Sequence, residues 1–251
     1  MTGTGEKDLR LIYGIRALES MLAHAPDRLK EVWYLNPLKG PRGDLVQLAE
    51  ARGVVTIQKK KSAMESLSAD GLHQGIIGLV EPNEYVDWDE ILRVPNPLIV
   101  AFDQVTDPRN LGAALRSVDA LGGTGALLTK NRCARLGPTV CKTSAGASEL
   151  IDCALETNLV RALKTARESD VQIVGLAFGG VPISEVDFTQ PSVVVVGSEG
   201  RGIRPSTREA CDQIVTIPMV GKTPSLNASV AVSVIMYEAM RQRSESLATE
   251  N

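Results

Sequence analysis

PLIVAFDQVTDPRNLGAALRSVDALGGTGALLT (residues 97–129) reads as strand, helix, strand. PLIVAF is an unbroken apolar run, and GALLT is a second. Between them Leu111, Leu115 and Val118 recur at the 3.6-residue spacing of one helical face, with Arg116 pointing away from it beside Gly112. Strands that are apolar at every position, rather than at alternate ones, are covered on both faces, which happens where crossover helices flank a parallel sheet. The pattern continues outward. NLVRALKTARES predicts a helix, VQIVGLA, SVVVVG and QIVTIP predict strands, and a long helix closes the chain. Residues 97–251 are therefore expected to form a doubly wound α/β domain with a parallel sheet.

Upstream the pattern is shorter. Residues 9–23 (LRLIYGIRALESMLA) show helical apolar spacing; EVWYL (31–35), GVVTIQ (53–58) and HQGIIGLV (73–80) read as strands, and LVQLAEA as a helix between the first two. This predicts a small α/β domain over residues 1–81. EPNEYVDWDEILRVPNP, rich in proline and acidic residues, reads as a linker over 82–96.

Composition narrows the chemistry. The 251 residues are 43% hydrophobic and 23% charged, which suits a globular protein of two modest domains. The polar opening MTGTGEKDLR, with no apolar run near the roughly 20 residues that span a bilayer, predicts a cytoplasmic protein without membrane attachment. Cys133, Cys141, Cys153 and Cys211 form no C-x-x-C pair, so they read as small buried hydrophobes, and no metal site is expected. Two histidines, His24 and His73, do not supply a hydrolase triad. The net charge of -3 argues against bulk electrostatic coating of nucleic acid. No acidic residue falls between Asp119 and Glu149, however, and Lys130, Arg132, Arg135 and Lys142 do, with Arg109 and Arg116 just upstream. Such a stretch suits a phosphate backbone, and equally a solvated loop. Lys59–Lys61 raise the same pair of readings.

Three segments stand where parallel sheets bind ligands, at the carboxyl ends of strands. SVVVVGSEGRGIRP (192–205) runs from a strand into a glycine-rich turn. It fails the dinucleotide fingerprint because Pro205 stands where the third glycine belongs. GKT (221–223) fails as a phosphate-binding loop, since Thr216 replaces the first glycine and Pro224 follows. Alone, GSEGRG reads as a structural turn. Asn110 is a candidate cap for the helix after PLIVAF, and Ser225 or Asn227 for the closing helix. Leu226, apolar inside a polar turn, suits a wall against a flat heterocycle.

Taken together, DPRNLGAALRSVDALGG, VVVVGSEGRGIRP and IPMVGKTPSLNASVAVSVIMYEA resemble, in order and spacing, the three signature motifs of the SpoU RNA ribose 2′-O-methyltransferases of the SPOUT superfamily. SAGASE (144–149) fits as well. YGIRALESML and HQGIIGLV are similar to the small, L30e-like RNA-binding domain of the 23S rRNA guanosine-2′-O-methyltransferase subgroup. The resemblance covers nearly the whole chain. It implies a homodimer whose catalytic domain carries a trefoil knot, and S-adenosylmethionine as cofactor, resting on Leu176, Gly197, Ile217, Ser225 and Leu226. It carries the family's catalytic arginine onto Arg116 and the remaining polar site positions onto Asn110, Glu199, Ser225 and Asn227. RNA would then approach Arg109, Lys130, Arg132, Arg135 and Lys142. LGG after the first-motif helix and KTP before SLN depart from the usual pattern, away from catalytic positions. The implied substrate is a guanosine of 23S rRNA; tRNA, or RNA binding without catalysis, are the alternatives.

Overall fold

The computed structural model describes residues 9–68 and 73–249; residues 1–8 of the polar opening lie outside them. Along the chain run β1 (Arg10–Tyr13), α1 (Ile15–His24), β2 (Leu29–Tyr34), α2 (Pro41–Ala51), β3 (Val55–Gln58), α3 (Lys61–Leu67) and β4 (Ile76–Val80). Then come α4 (Trp88–Leu92), β5 (Leu98–Asp103), α5 (Pro108–Ala120), β6 (Gly125–Thr129), α6 (Pro138–Thr143) and β7 (Cys153–Glu156). The chain ends with α7 (Leu159–Glu168), β8 (Gln172–Pro182), β9 (Ser192–Gly197), α8 (Pro205–Glu209), β10 (Gln213–Thr216) and α9 (Ala228–Thr249). These elements fall into two units. One comprises residues up to Asn83 together with Leu136–Leu150; the other comprises Glu84–Arg135 and Ile151 onward.

In the first unit the strands order as β1-β4-β2-β3. β2 and β3 are parallel, while β4 runs antiparallel to β1 and β2. Its core gathers Leu18, Met21 and Leu22 of α1, Leu45 and Val46 of α2, Val32, Ile76 and Cys141. The single helix expected over residues 9–23 is in fact a strand and a helix. LRLIY is β-branched and aromatic enough to pair with β4, and Gly14, at φ 105, turns the chain before α1 begins. Residues 136–150 complete this unit: α6 packs against β1, and Glu149, fully buried, is held by three groups. Arg10 Nη1 donates to it at 2.7 Å, Arg28 Nη2 at 2.8 Å and the Asn83 amide at 3.0 Å. A carboxylate removed from water persists only when so paired. SAGASE thus has a structural task here.

The second unit is a six-stranded sheet in the order β10-β8-β9-β5-β6-β7, parallel throughout. The α/β class and the parallel sheet are those read from the uninterrupted apolar runs. One face packs Ile99, Ala101, Leu127, Ile173, Val193 and Val195 under α4 and α7. By the two-residue alternation of a strand, Val100, Phe102, Val194 and Val196 face the opposite side, where α9 contacts β9 and α5. All six residues of SVVVVG are buried, and each valine contributes about 1.5–3 kcal/mol of apolar transfer. The stretch read as a linker contains α4, whose Trp88, Ile91 and Leu92 enter this core; Trp88 Nε1 donates to the Ala162 carbonyl at 2.9 Å. Among the described residues, no helix is long and apolar enough to cross a membrane.

Candidate active site

The sheet order changes direction between β5 and β9, and the carboxyl ends of β8, β9 and β10 open beside that point onto a cleft of about 730 Å³. This is where open parallel sheets hold ligands, and the volume suits a small-molecule site. Its floor is Leu176 and Val196, neighbours in register on β8 and β9. One wall is the loop Ser198–Ile203, the other the stretch that follows β10, including Ile217, Ser225, Leu226 and Asn227.

Gly197 makes the first wall possible. A Cβ there would stand 2.0 Å from the carbonyl carbon of Gly202, because the loop folds back on its own strand through the Gly202 N to Ser198 O hydrogen bond of 2.9 Å. The missing side chain makes room for the protein's own backbone, as befits the structural turn that GSEGRG alone suggests. The foot of the loop is fixed by Asp103, fully buried at the end of β5. Its two oxygens accept from Arg204 Nε at 2.7 Å and Arg204 N at 2.9 Å. Sequence reasoning passed over this pair, although a carboxylate closing the apolar run PLIVAFD must be paired if buried.

Three of the polar candidates meet. Glu199 Oε1 accepts from Asn110 Nδ2 at 2.5 Å and from Asn227 Nδ2 at 2.6 Å, and Asn227 Nδ2 also lies 3.0 Å from Asn110 Oδ1. Asn227 caps α9, its Oδ1 accepting from Ser229 N at 2.8 Å and Ser229 Oγ at 2.6 Å. Asn110 is not the cap of α5. Asp107 is, accepting from Arg109 N at 2.8 Å, and Pro108 opens the helix, so Asn110 sits in its first turn with its amide free to reach Glu199. Ser225 lines the cleft, and its side chain makes no capping hydrogen bond among the described residues. Glu199 Oε2 has no hydrogen-bond partner among the described residues.

The cations are arranged differently. Arg116 is exposed on α5, makes no hydrogen bond or ion pair among the described residues, and is not part of the cleft lining. Arg109, Lys130 and Arg132 are exposed in the same unit, and exposed Arg135 donates to the Lys130 carbonyl. Lys142 belongs to the other unit, where its Nζ lies 5.5 Å from the centre of the Tyr13 ring. Phe178, Arg201 and Arg208 also line the cleft, and sequence reading singled out none of them as ligands.

Three of the four thiols are held above their ordinary pKa. Burial pushes Cys211 up to about 12, with Asp212 adding to the effect, and raises Cys133 and Cys141 as well. Cys133, Cys141 and Cys211 are therefore poorly suited to act as thiolate nucleophiles. Among the described residues no three His, Cys, Asp or Glu side chains are grouped to hold a metal.

The SpoU rRNA methylase family model matches residues 97–237, more than half of the chain. The chain belongs to the SpoU rRNA methylase family. A second model, for the substrate-binding domain of RNA 2′-O ribose methyltransferases, matches residues 11–86 of this SpoU protein. It is 39% identical over 245 residues to the 23S rRNA (guanosine-2′-O-)-methyltransferase RlmB of Pseudomonas syringae pv. tomato, covering 94% of this chain and 97% of that one. An uncharacterized tRNA/rRNA methyltransferase of Mycolicibacterium gilvum is 45% identical over 204 residues, 79% of this chain and 65% of its own. Among solved structures, the SpoU methyltransferase AviRb of Streptomyces viridochromogenes in complex with AdoMet superposes with a TM-score of 0.75 at 27% identity, covering 94% of this chain and 90% of that one. Three features read from sequence alone, the parallel sheet, the three motifs and the RNA methyltransferase family, agree with these findings.

Proposed function

We propose that this SpoU protein methylates the ribose 2′-hydroxyl of a guanosine in 23S rRNA, using S-adenosylmethionine. The observation that carries the reading is the convergence of Asn110, Glu199 and Asn227, drawn from three separated motifs, at the rim of an apolar cleft at the carboxyl end of a parallel sheet. The likeness to RlmB over nearly the whole of both chains supports the substrate. The unit of Glu84–Arg135 and Ile151 onward carries the chemistry, and the unit of residues up to Asn83 with Leu136–Leu150 binds the RNA.

S-adenosylmethionine supplies a methyl group on a positively charged sulfur. The cleft's own residues fit such a cofactor: Leu176, Ile217 and Leu226 offer apolar walls to a flat base, and the backbone at Gly197 and Ser225 offers polar groups. Displacement needs the ribose oxygen in line with the methyl, so positioning supplies much of the rate. Glu199, ordered by two asparagines, has one oxygen left to accept the ribose hydroxyl. Arg116 holds the adjoining phosphate. A guanidinium with a pKa above about 12 is a poor base at neutral pH and a good phosphate clamp, so the proton leaves late, to phosphate or solvent. Arg109, Lys130, Arg132 and Arg135 extend the contact along the RNA backbone, and Lys142 is a backbone contact of the RNA-binding unit.

Arg116 is exposed and outside the cleft lining, which favours an active site completed by a second copy in a homodimer; the knotted threading and the cytoplasmic setting are carried by the family resemblance alone. The test is transfer of labelled methyl from S-adenosylmethionine to total RNA, with the product mapped by 2′-O-methyl-sensitive primer extension and the protein's mass by light scattering. Arg116→Ala is expected to lower turnover about 10²–10³-fold, the usual cost of one charge-stabilising donor, while Arg116→Lys retains measurable activity. Loss of all activity in Arg116→Lys, with RNA binding intact, would count against the clamp. Normal turnover by Asn227→Ala would remove that residue from the site, and a stop in tRNA would move the substrate there; cofactor binding without transfer to any RNA would point to an assembly intermediate as substrate, and neither transfer nor cofactor binding would favour a non-catalytic RNA-binding module.

A further inference from the structure

We propose that Phe178 is a stacking platform for an unpaired RNA base beside the nucleotide that is methylated. This rests on the methyl-transfer reading above and adds to it a residue outside the three motifs.

The protein has three phenylalanines. Phe102 and Phe188 are 1% and 0% exposed in the core, whereas Phe178 is 67% exposed and lines the cleft. Its placement is built into the sheet. β8 pairs with β10 through Val174 and Gly175, opposite Gln213 and Ile214, then resumes at Val181 and Pro182, opposite the next residues Val215 and Thr216. Residues 176–180, LAFGG, therefore arch away from β10, and such interruptions re-aim side chains beside functional sites. Gly180 lets the arch close, since a Cβ there would stand 2.3 Å from the Ile214 carbonyl oxygen. At its crest, Arg208 Nη1 and Nη2 each lie 3.4 Å from the Phe178 carbonyl, which they donate to.

The surroundings select the occupant. Met219 is 38% exposed and lines the cleft with Phe178, giving an apolar ledge. Arg208 stands beside it, and Arg201, which has no side-chain hydrogen bond or ion pair among the described residues, lines the same cleft. Among the described residues the one carboxylate lining the cleft is Glu199, whose Oε1 is held by Asn110 and Asn227. An aromatic face flanked by cations, continuous with the transfer site, matches single-stranded nucleic acid, whose bases stack on aromatic rings while arginines meet the phosphates.

The experiment compares the full-length wild type with Phe178→Ala, Phe178→Leu and Phe178→Trp on a 23S rRNA transcript. Methyl transfer gives the KM for RNA, filter binding the RNA affinity, calorimetry the affinity for S-adenosylmethionine, and light scattering the mass. Stacking predicts that Ala and Leu each raise the KM for RNA about 5- to 100-fold, that Trp restores it, and that cofactor affinity and mass stay unchanged. Three results overturn the proposal: full function in Phe178→Leu, a parallel loss of cofactor affinity that makes Phe178 a cover for the cofactor, or a change of mass that makes it a protein contact. A wild type that methylates no RNA defeats the methyl-transfer reading instead. The filter-binding comparison then still decides stacking, and equal RNA affinities of wild type and Phe178→Ala overturn it.

Discussion

At the scale of single residues the decisive constraint is Gly197. Because the space its side chain would need is filled by the Gly202 backbone, Gly197→Ala must either push the Ser198–Ile203 loop outward or strain β9. The expected cost is about 3 kcal/mol, the upper end for overpacking, and binding of S-adenosylmethionine by calorimetry should be lost before the fold is. His73 provides a second residue-level prediction. It is 5% exposed, its Nδ1 accepts from Gly75 N at 2.9 Å, and burial lowers its pKa from 6.5, with Lys61 and Lys142 lowering it further and Glu65 opposing. The unfolded chain therefore takes up a proton before the folded one does. Stability is full above pH 6.5 and declines as pH falls below it toward the folded pKa. Thermal melts at pH 7.5 and 5.5 should show that decline, and His73→Gln should flatten it. Residues such as Asn110, Glu199 and Asn227 were legible through their motifs. Asp103 with Arg204, and Phe178, were not, since a lone Asp or Phe in sequence carries no sign of whether it is buried or what faces it.

Among the elements, the uninterrupted apolar strands declared themselves because burial on both faces demands apolar residues throughout. Short elements did not. α4 hides behind the acidic residues and prolines around it, and β1 shares its apolar spacing with α1 until Gly14 separates them. α9 shows what such reading misses in a helix it finds correctly. Arg243 uses Nε on the Phe188 carbonyl at 2.8 Å, Nη1 on the Asn96 carbonyl at 2.7 Å and Nη2 on the Gln190 carbonyl at 3.0 Å. One side chain thus ties the last helix to the entries of β5 and β9. Arg243→Met leaves several carbonyls without a donor and should destabilise by about 2–4 kcal/mol in denaturant melts. Arg243→Lys, a point charge without the planar fork, should recover only part of this.

For the whole molecule, the telling feature is that residues 136–150 belong with the first eighty or so. Nothing in the local sequence announces it, because the partners of Glu149 lie 139, 121 and 66 positions away. Glu149→Gln in the full chain should cost about 3 kcal/mol, discounted from the fully buried range because Arg10 and Arg28 are 18% and 25% exposed. At this chain length that lowers Tm by roughly 6–12 °C, readable by calorimetry. A chain cut after Asn83 should lack fixed near-ultraviolet circular dichroism, and joining residues 136–150 to it through a flexible linker should restore the signal. The same arrangement sets a schedule on the ribosome. At roughly 5–20 residues per second, synthesis from Asn83 to Leu150 takes about 3–13 s, and for that interval the leading sheet waits, its two arginines uncompensated, for a segment not yet made.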